Sequence, residues 1–307
     1  MRKRKLRKLV GCVFLLMCLL AAALLGCNLA ACRLMRSRGT SHPVDPESGI
    51  MQGGGPVRIT SERERACLLL HGWLTTPADF GPLPQALDEA GWDVFAPLQK
   101  GHGTKPNDLQ GVTADDLLGA ARKHYQRVRS EYDHVALVGF SMGGTMATLL
   151  AAEEPPDQLV LVAPFFGVRH RWYYVLPARW WGGILRPVLR CVWRGRGGVH
   201  VNRPEGRDEV RMYCGFPTSV VTALFELRRR VPAADVSVLN CPVLLVYSEG
   251  DGVCSPEATE RFAAGLPGGS VLRKVFTRSD HHLMLDYDRQ AAAEAIVEFL
   301  AEAQPRD

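Results

Sequence analysis

His134-Val135-Ala136-Leu137-Val138-Gly139-Phe140-Ser141-Met142-Gly143-Gly144 is the stretch whose reading decides the fold. Its first seven residues are almost continuously apolar, as expected of a strand covered on both faces. From Gly143 the pattern turns helical and runs to Glu153. Between the two lies G-x-S-x-G, with Ser141 at its centre. A strand that turns directly into a helix leaves no room for a Cβ beside the serine, which is the reason for glycine at 139 and 143. Such an elbow lifts the Ser141 hydroxyl above the sheet and beside a helix N-terminus, where the dipole and free N–H groups favour developing negative charge. The bare motif is common by chance; the strand and helix around it give it weight.

Working outward, five more apolar runs read as strands: Ala66–His71, Asp93–Ala96, Leu159–Ala163, Val243–Ser248 and Ser270–Phe276. Helical patterns alternate with them at Leu83–Ala90, Ala114–Ser130, Pro256–Leu266 and Arg289–Ala303. Thr113 with Asp116 makes a capping-box start for the second of these. The alternation predicts a doubly wound, mostly parallel α/β sheet. One stretch breaks the beat. After the strand ending near Ala163, residues 165–231 show no strand–helix alternation and are rich in aromatic residues and arginine. Ten Arg stand against three acids between Arg169 and Arg211. This reads as a cap inserted over the sheet. Its aromatic residues, Phe165, Phe166 and Trp172 among them, are expected to line an apolar groove for substrate. Its arginines are expected to face outward, because a guanidinium desolvated without a partner is costly.

A serine hydroxyl needs a base to take its proton, and the base needs an orienting acid. Asp251 lies just past the strand Val243–Ser248, in Glu249-Gly250-Asp251-Gly252, at the sheet edge the elbow faces. Glu249 is the rival acid. His281 and His282 follow the last strand; only one can be the base, and periodicity does not separate them. His71-Gly72-Trp73 ends the first strand beside the elbow. The backbone N–H groups of Trp73 and Met142 are placed to form an oxyanion hole. His71 reads as a residue that holds this loop, and Lys100-Gly101-His102-Gly103 as a structural turn.

Five blocks in order carry a resemblance: Leu68-Leu69-Leu70-His71-Gly72-Trp73, Lys100-Gly101-His102-Gly103, Gly139-Phe140-Ser141-Met142-Gly143-Gly144, Glu249-Gly250-Asp251-Gly252-Val253-Cys254-Ser255-Pro256, and Ser279-Asp280-His281-His282-Leu283-Met284-Leu285-Asp286. They make the chain resemble the serine aminopeptidase and monoacylglycerol lipase-like group of the α/β hydrolases, small bacterial carboxylesterases above all. The resemblance implies the α/β-hydrolase fold, a catalytic set of Ser141, Asp251 and His281, and oxyanion donors at Trp73 and Met142. It selects His281 over His282, because the family's base lies five residues before an Asp. It implies an ester or monoacylglycerol substrate, no metal and no cofactor. The long Trp- and Arg-rich cap departs from the family pattern. Two other readings stay open: an aminopeptidase of the prolyl aminopeptidase type, which needs carboxylates for the substrate amine, and a non-catalytic ligand-binding protein on this fold.

The 307 residues suit one large domain, read as 59–304, after a linker over 33–58 and an N-terminal segment over 1–32. Of the net charge of +5, six positive charges lie within residues 1 to 8, so the remainder carries −1. The basic pI is therefore no nucleic-acid signal. Leu9 to Cys32 is an uncharged run of 24 residues, long enough to cross a bilayer. Basic residues before it set an N-inside orientation, with the large domain on the extracytoplasmic side. It reads as a signal anchor, or as a lipoprotein signal cut at Cys27 or Cys32, with Leu29 at −3 favouring Cys32. Cys67, Cys191, Cys214, Cys241 and Cys254 show no metal spacing. Cys67 reads as a core residue. One disulfide can form outside the cytoplasm, with Cys191 and Cys214 the candidate pair. No obligate protein partner is evident.

Overall fold

The computed structural model describes residues 2–169, 189–234, 236–266 and 271–302. Among them are nine strands: β1 (Val57–Ile59), β2 (Arg65–Leu70), β3 (Asp93–Ala96), β4 (His134–Phe140), β5 (Gln158–Val162), β6 (Cys191–Trp193), β7 (Gly215–Pro217), β8 (Val243–Ser248) and β9 (Val271–Phe276). Seven form one sheet in the order β1-β3-β2-β4-β5-β8-β9. Every pairing in it is parallel except β1 with β3. The order reverses around β2, as a doubly wound sheet requires, and the central strand β4 carries the elbow.

The α-helices among the described residues are α1 (Arg2–Arg38), α2 (Leu83–Glu89), α3 (Ala114–Glu131), α4 (Met142–Glu153), α5 (Gly206–Glu209), α6 (Ser219–Arg230), α7 (Pro256–Ala263) and α8 (Arg289–Glu302). The two-residue period of β2 explains the two cores. Ala66, Leu68 and Leu70 face one side with Leu117, Ala121 and Met146 of α3 and α4. Cys67 and Leu69 face the other with Leu83, Leu87 and Ile296 of α2 and α8. Removing a side chain such as Leu68 would cost about 2–5 kcal/mol through lost transfer energy and the cavity left behind. The α3 cap closes as its sequence predicts: Asp116 N–H donates to Thr113 Oγ1 at 3.1 Å, and Thr113 N–H to Asp116 Oδ2 at 3.0 Å.

In the course of the chain's elements the structure differs from the sequence reading in four places. Helix α1 runs on to Arg38, past residue 32. Residues 33–58, read as a linker, are built into the domain: Thr40 bridges Tyr213, Met51 is buried with Leu74 and Tyr213, and Val57 opens the antiparallel edge strand. The stretch 165–231 does hold regular structure, the β6–β7 ribbon and α6. Last, β9 is an exposed edge, with Leu272 and Val275 open to solvent.

The disulfide joins Cys191 to Cys32, with Cα atoms 5.2 Å apart, and not to Cys214. Register is the reason. Cys191 pairs with Pro217 and Trp193 with Gly215 across the ribbon, which carries Cys214 three positions away from Cys191. Asn28 adds to the fastening: its Nδ2 donates to Cys191 O at 3.1 Å and its Oδ1 accepts from Arg190 N–H at 3.1 Å. The last turns of α1 are thus stitched to the ribbon, while its apolar residues from Val10 to Leu25 stand exposed.

Candidate active site

Ser141 caps α4 with φ 53° and ψ −115°, a backbone region a non-glycine residue enters only under strain. Close approach explains the flanking glycines. A Cβ on Gly143 would lie 1.8 Å from Leu70 O, and one on Gly139 2.4 Å from Gly143 O. The elbow is held from below by Ser141 N–H donating to Val162 O at 2.9 Å. Met142 is the first residue of α4, so its N–H has no intrahelical acceptor.

His281 bridges the serine and the acid. Its Nε2 lies 3.0 Å from Ser141 Oγ and its Nδ1 2.8 Å from Asp251 Oδ2. All three residues are buried. The other carboxylate oxygen, Asp251 Oδ1, accepts from the N–H groups of Val253 and Cys254, each at 2.8 Å. That fixes the carboxylate plane. Burial works against a charged imidazole at His281, but the Asp251 carboxylate outweighs it and holds the pKa well above its ordinary value. The rival acid Glu249 lies at the exposed end of β8.

Two further carboxylates, unnoticed as site residues in the sequence, set the loop that carries His281. Asp280 Oδ1 accepts from Gly252 N–H and from His281 N–H, both at 2.7 Å, tying the Asp251 loop to the His281 loop. Burial works to raise the Asp280 pKa, but the bonds from His200 and Gly252 outweigh it and hold it at about 2. Asp286 is fully buried and accepts from four backbone N–H groups: Asn202, Arg203, Asp280 and Tyr287. The five-residue spacing to His281 was its only trace in the sequence. His282 turns the other way, its Nδ1 3.3 Å from Oδ1 of the buried Asp79.

The loop after β2 is held by His71. Its Nε2 accepts from Gln99 N–H at 2.9 Å, so the proton sits on Nδ1, which donates to Gly72 O at 3.0 Å. Burial, helped by His102, keeps the His71 pKa well below its ordinary value; burial alone lowers His102 to about 4. The loop brings Trp73 beside the elbow. Among the described residues no protein acceptor takes the Trp73 N–H or the Met142 N–H.

A cavity of about 440 Å³ opens over Ser141 and His281. Trp73, Phe165, Val168, Leu224 and Phe225 give it an apolar wall. Of the residues expected to line an apolar groove, Phe165 lines this cavity. Phe166 does not: its ring lies against Phe262, centroids 4.2 Å apart, in the core. Trp172 lies outside the described residues. Leu224 and Phe225 come from α6, which the sequence reading missed, although Val220, Ala223, Leu224 and Leu227 carry a helical period. The arginines were expected to face outward; among the described residues Arg194 turns inward, and Arg169 also lines the cavity. Arg194 lines the cavity and lies against the rings of Trp73 and Phe216. Those aromatic faces stabilise a buried cation that has no carboxylate beside it among the described residues.

Asp251, Cys254 and His281 also bring three potential metal-ligand atoms within 4.8 Å of one another. Two of those side chains already bond each other, and burial raises the pKa of the Cys254 thiol. A thiol kept protonated is a poor ligand, so this donor set fits a metal badly.

Residues 61–288 match the family model described as serine aminopeptidase, S33. A thermostable monoacylglycerol lipase of Bacillus sp. (strain H-257) is 28% identical over 251 residues, 80% of this chain and 91% of that protein. A carboxylesterase of Bacillus subtilis (strain 168) is 25% identical over 240 residues, 77% of this chain and 92% of the relative. In fold, the chain is similar to the monoacylglycerol lipase of Paleococcus ferrophilus, with a TM-score of 0.69 at 17% identity, covering 81% of this chain and 98% of that one. A structure reported with the metagenome-derived lipolytic enzymes LipS and LipT gives 0.72 at 20% identity, covering 82% and 99%.

Proposed function

Because the chain belongs to the serine aminopeptidase (S33) family of α/β hydrolases and is a serine hydrolase of the carboxylesterase and lipase type, we propose that it cleaves carboxylic esters through an acyl-enzyme formed on Ser141. The observation that carries this reading is the unbroken chain of hydrogen bonds from Ser141 Oγ through His281 to Asp251 at the floor of an apolar cavity.

In this reading Ser141 Oγ attacks the ester carbonyl while its proton passes to His281 Nε2. Asp251 stabilises the imidazolium that forms. The carbonyl oxygen becomes an oxyanion, received by the N–H groups of Trp73 and Met142 at the N-terminus of α4. His281 returns its proton to the departing alcohol, and the acyl group remains on Ser141. Water then enters, gives its proton to His281, and releases the acid and the free serine. No step requires a cofactor. The cavity volume and apolar wall favour an acyl chain longer than acetyl. The test is a panel of p-nitrophenyl esters and monoacylglycerols on the purified protein, with Ser141→Ala as control. Turnover that rises from acetate to octanoate and vanishes in the variant supports the reading.

The aminopeptidase reading is weaker here. Among the described residues lining the cavity there is no Asp or Glu to receive a substrate amine, and two arginines, Arg169 and Arg194, occupy the wall.

We read α1 as a membrane anchor. Its segment Val10–Arg38 is long and apolar enough to cross a bilayer, and none of its most apolar window is buried in the domain. The Cys32–Cys191 disulfide supports a catalytic domain outside the cytoplasm, since such bonds persist in oxidising compartments. A Cys32 sulfur held in a disulfide cannot carry a lipid thioether, which favours an uncleaved anchor over a lipoprotein cut at that residue.

A further inference from the structure

Arg194 is unlike the other arginines of its segment. Arg196 pairs with Asp208 and Arg203 with Glu209 at 2.6–2.9 Å, and Arg169 donates to Glu249 O at 2.8 Å. Among the described residues Arg194 has no carboxylate partner, and its Nε is buried without an acceptor. Burial lowers its pKa only to about 10, so it remains a cation at neutral pH.

Its slot is built. The guanidinium carbon lies 6.0 Å from the Trp73 ring centroid and 5.7 Å from that of Phe216, and the two rings meet edge to face at 4.9 Å. The remaining side is Gly198, where a Cβ would stand 2.2 Å from Cζ and 2.3 Å from Nη1. Any larger residue at 198 would push the guanidinium out. Aromatic faces hold a cation but satisfy none of its N–H donors in the plane of the group. Two more buried side-chain groups on the same cavity also lack partners: Trp73 Nε1 and Thr75 Oγ1. Three buried donors without an acceptor, one of them charged, thus lie on residues that line a cavity whose described lining holds no carboxylate. A buried donor without an acceptor is costly, and an oxyanion with several lone pairs relieves that cost best.

We propose that this cavity takes esters bearing an anionic group, a carboxylate or a phosphate, and that Arg194 receives it. The proposal rests on the reading of Ser141 as nucleophile for its catalytic consequence, but the binding site stands apart from that reading. It separates this chain from esterases that take neutral substrates only. An arginine that merely packs against Trp73 would leave substrate charge without effect.

The experiment uses the full chain in detergent micelles and two matched pairs of substrates. One pair places the charge on the acyl side: a monoester of a dicarboxylic acid against the methyl-terminated ester of equal length. The other places it on the alcohol side: a 1-acylglycerol 3-phosphate against the 1-acylglycerol. In at least one pair kcat/KM for the anionic member should exceed that of the neutral one by about tenfold or more, as a charge-assisted hydrogen bond allows. The ratio should fall towards one in Arg194→Met and in Gly198→Ala, and Arg194→Lys should restore part of it. The pair that responds identifies which side of the ester carries the charge. A ratio near one in the wild-type protein for both pairs, or a ratio that survives in Arg194→Met, overturns the proposal. A second measurement is independent of catalysis. Dodecyl phosphate and dodecanol are titrated into the Ser141→Ala protein, read by tryptophan fluorescence. Tighter binding of the phosphate, lost on adding Arg194→Met, supports the anion site even should the nucleophile assignment fail. Equal affinity for the two compounds counts against it.

Discussion

Nδ1 of His281 stands 2.8 Å from Oδ2 of Asp251, with both side chains closed to solvent. The carboxylate keeps the imidazole's pKa well above the ordinary value of 6.5 against the opposing effect of burial. Only the neutral imidazole can accept the Ser141 proton. The rate must therefore fall as pH drops through that raised pKa, and the acid limb of kcat/KM lies above pH 6.5. Replacing Asp251 by Asn removes the charge that raises it. The limb should then move down in pH, while the rate above it falls by about 10⁴-fold, as in other triads that lose their acid. A pH–rate profile from 5 to 9 reads both effects. A wild-type profile flat across that range would contradict this account of His281.

His282 was the rival for the base, and its place beside Asp79 gives it a different role. The two buried groups approach within 3.3 Å. Neither group has another side-chain hydrogen-bond partner for these atoms among the described residues, so His282→Ala removes the nearest polar neighbour of a buried carboxylate and should cost about 3 kcal/mol of stability. Urea denaturation of the variant measures this. An unchanged midpoint would mean that the pair contributes nothing.

Two other histidines make the fold acid-sensitive. His71 and His102 are buried neutral, with pKa values lowered by burial, His102 to about 4. Between the unfolded value of 6.5 and these lowered values the unfolded chain binds more protons than the folded one. Stability is therefore full above pH 6.5 and is lost as pH falls towards 4. His102 alone accounts for roughly 3 kcal/mol of that loss by pH 4. Melting temperatures at pH 7 and pH 4.5 should differ less in His102→Gln than in the wild type; equal differences would remove His102 from the explanation.

Much of this was legible in the sequence, and the reasons are local. All six named strands lie in the sheet: five read as short apolar runs because both faces are covered, and β9 was named by the same pattern although its faces are open to solvent. Tight turns demand glycine, so the elbow at Gly139 and Gly143 announces itself. The place of Asp251 follows from which strand ends share an edge, whereas His281 is separated from His282 only by the family resemblance and its five-residue spacing to Asp286. What escaped is tertiary. Cys32 and Cys191 are 159 residues apart and meet because α1 docks on a ribbon whose register no spacing reveals. Phe166 and Phe165 are neighbours in sequence, yet one packs on Phe262 and the other lines the cavity. Arg194 turns inward because Gly198, Trp73 and Phe216 leave it a slot, and composition alone points the other way.

The stitching of α1 to the ribbon makes a prediction about location. The protein should fractionate with membranes, and Cys32 and Cys191 should react with an alkylating reagent only after reduction. Peptide mass spectrometry with and without reductant reads this. Palmitate labelling that disappears in Cys32→Ser would show a lipid where the structure places a disulfide, and would overturn it.

The claim on which the rest depends is that Ser141 becomes acylated. Intact-protein mass spectrometry during turnover of a p-nitrophenyl ester tests it most directly. The expected result is a mass increase equal to one acyl group, mapped to the peptide containing Ser141, absent in Ser141→Ala and formed far more slowly in His281→Ala. Ester turnover that persists in a folded Ser141→Ala protein, or an acyl adduct mapped to any other residue, would contradict it.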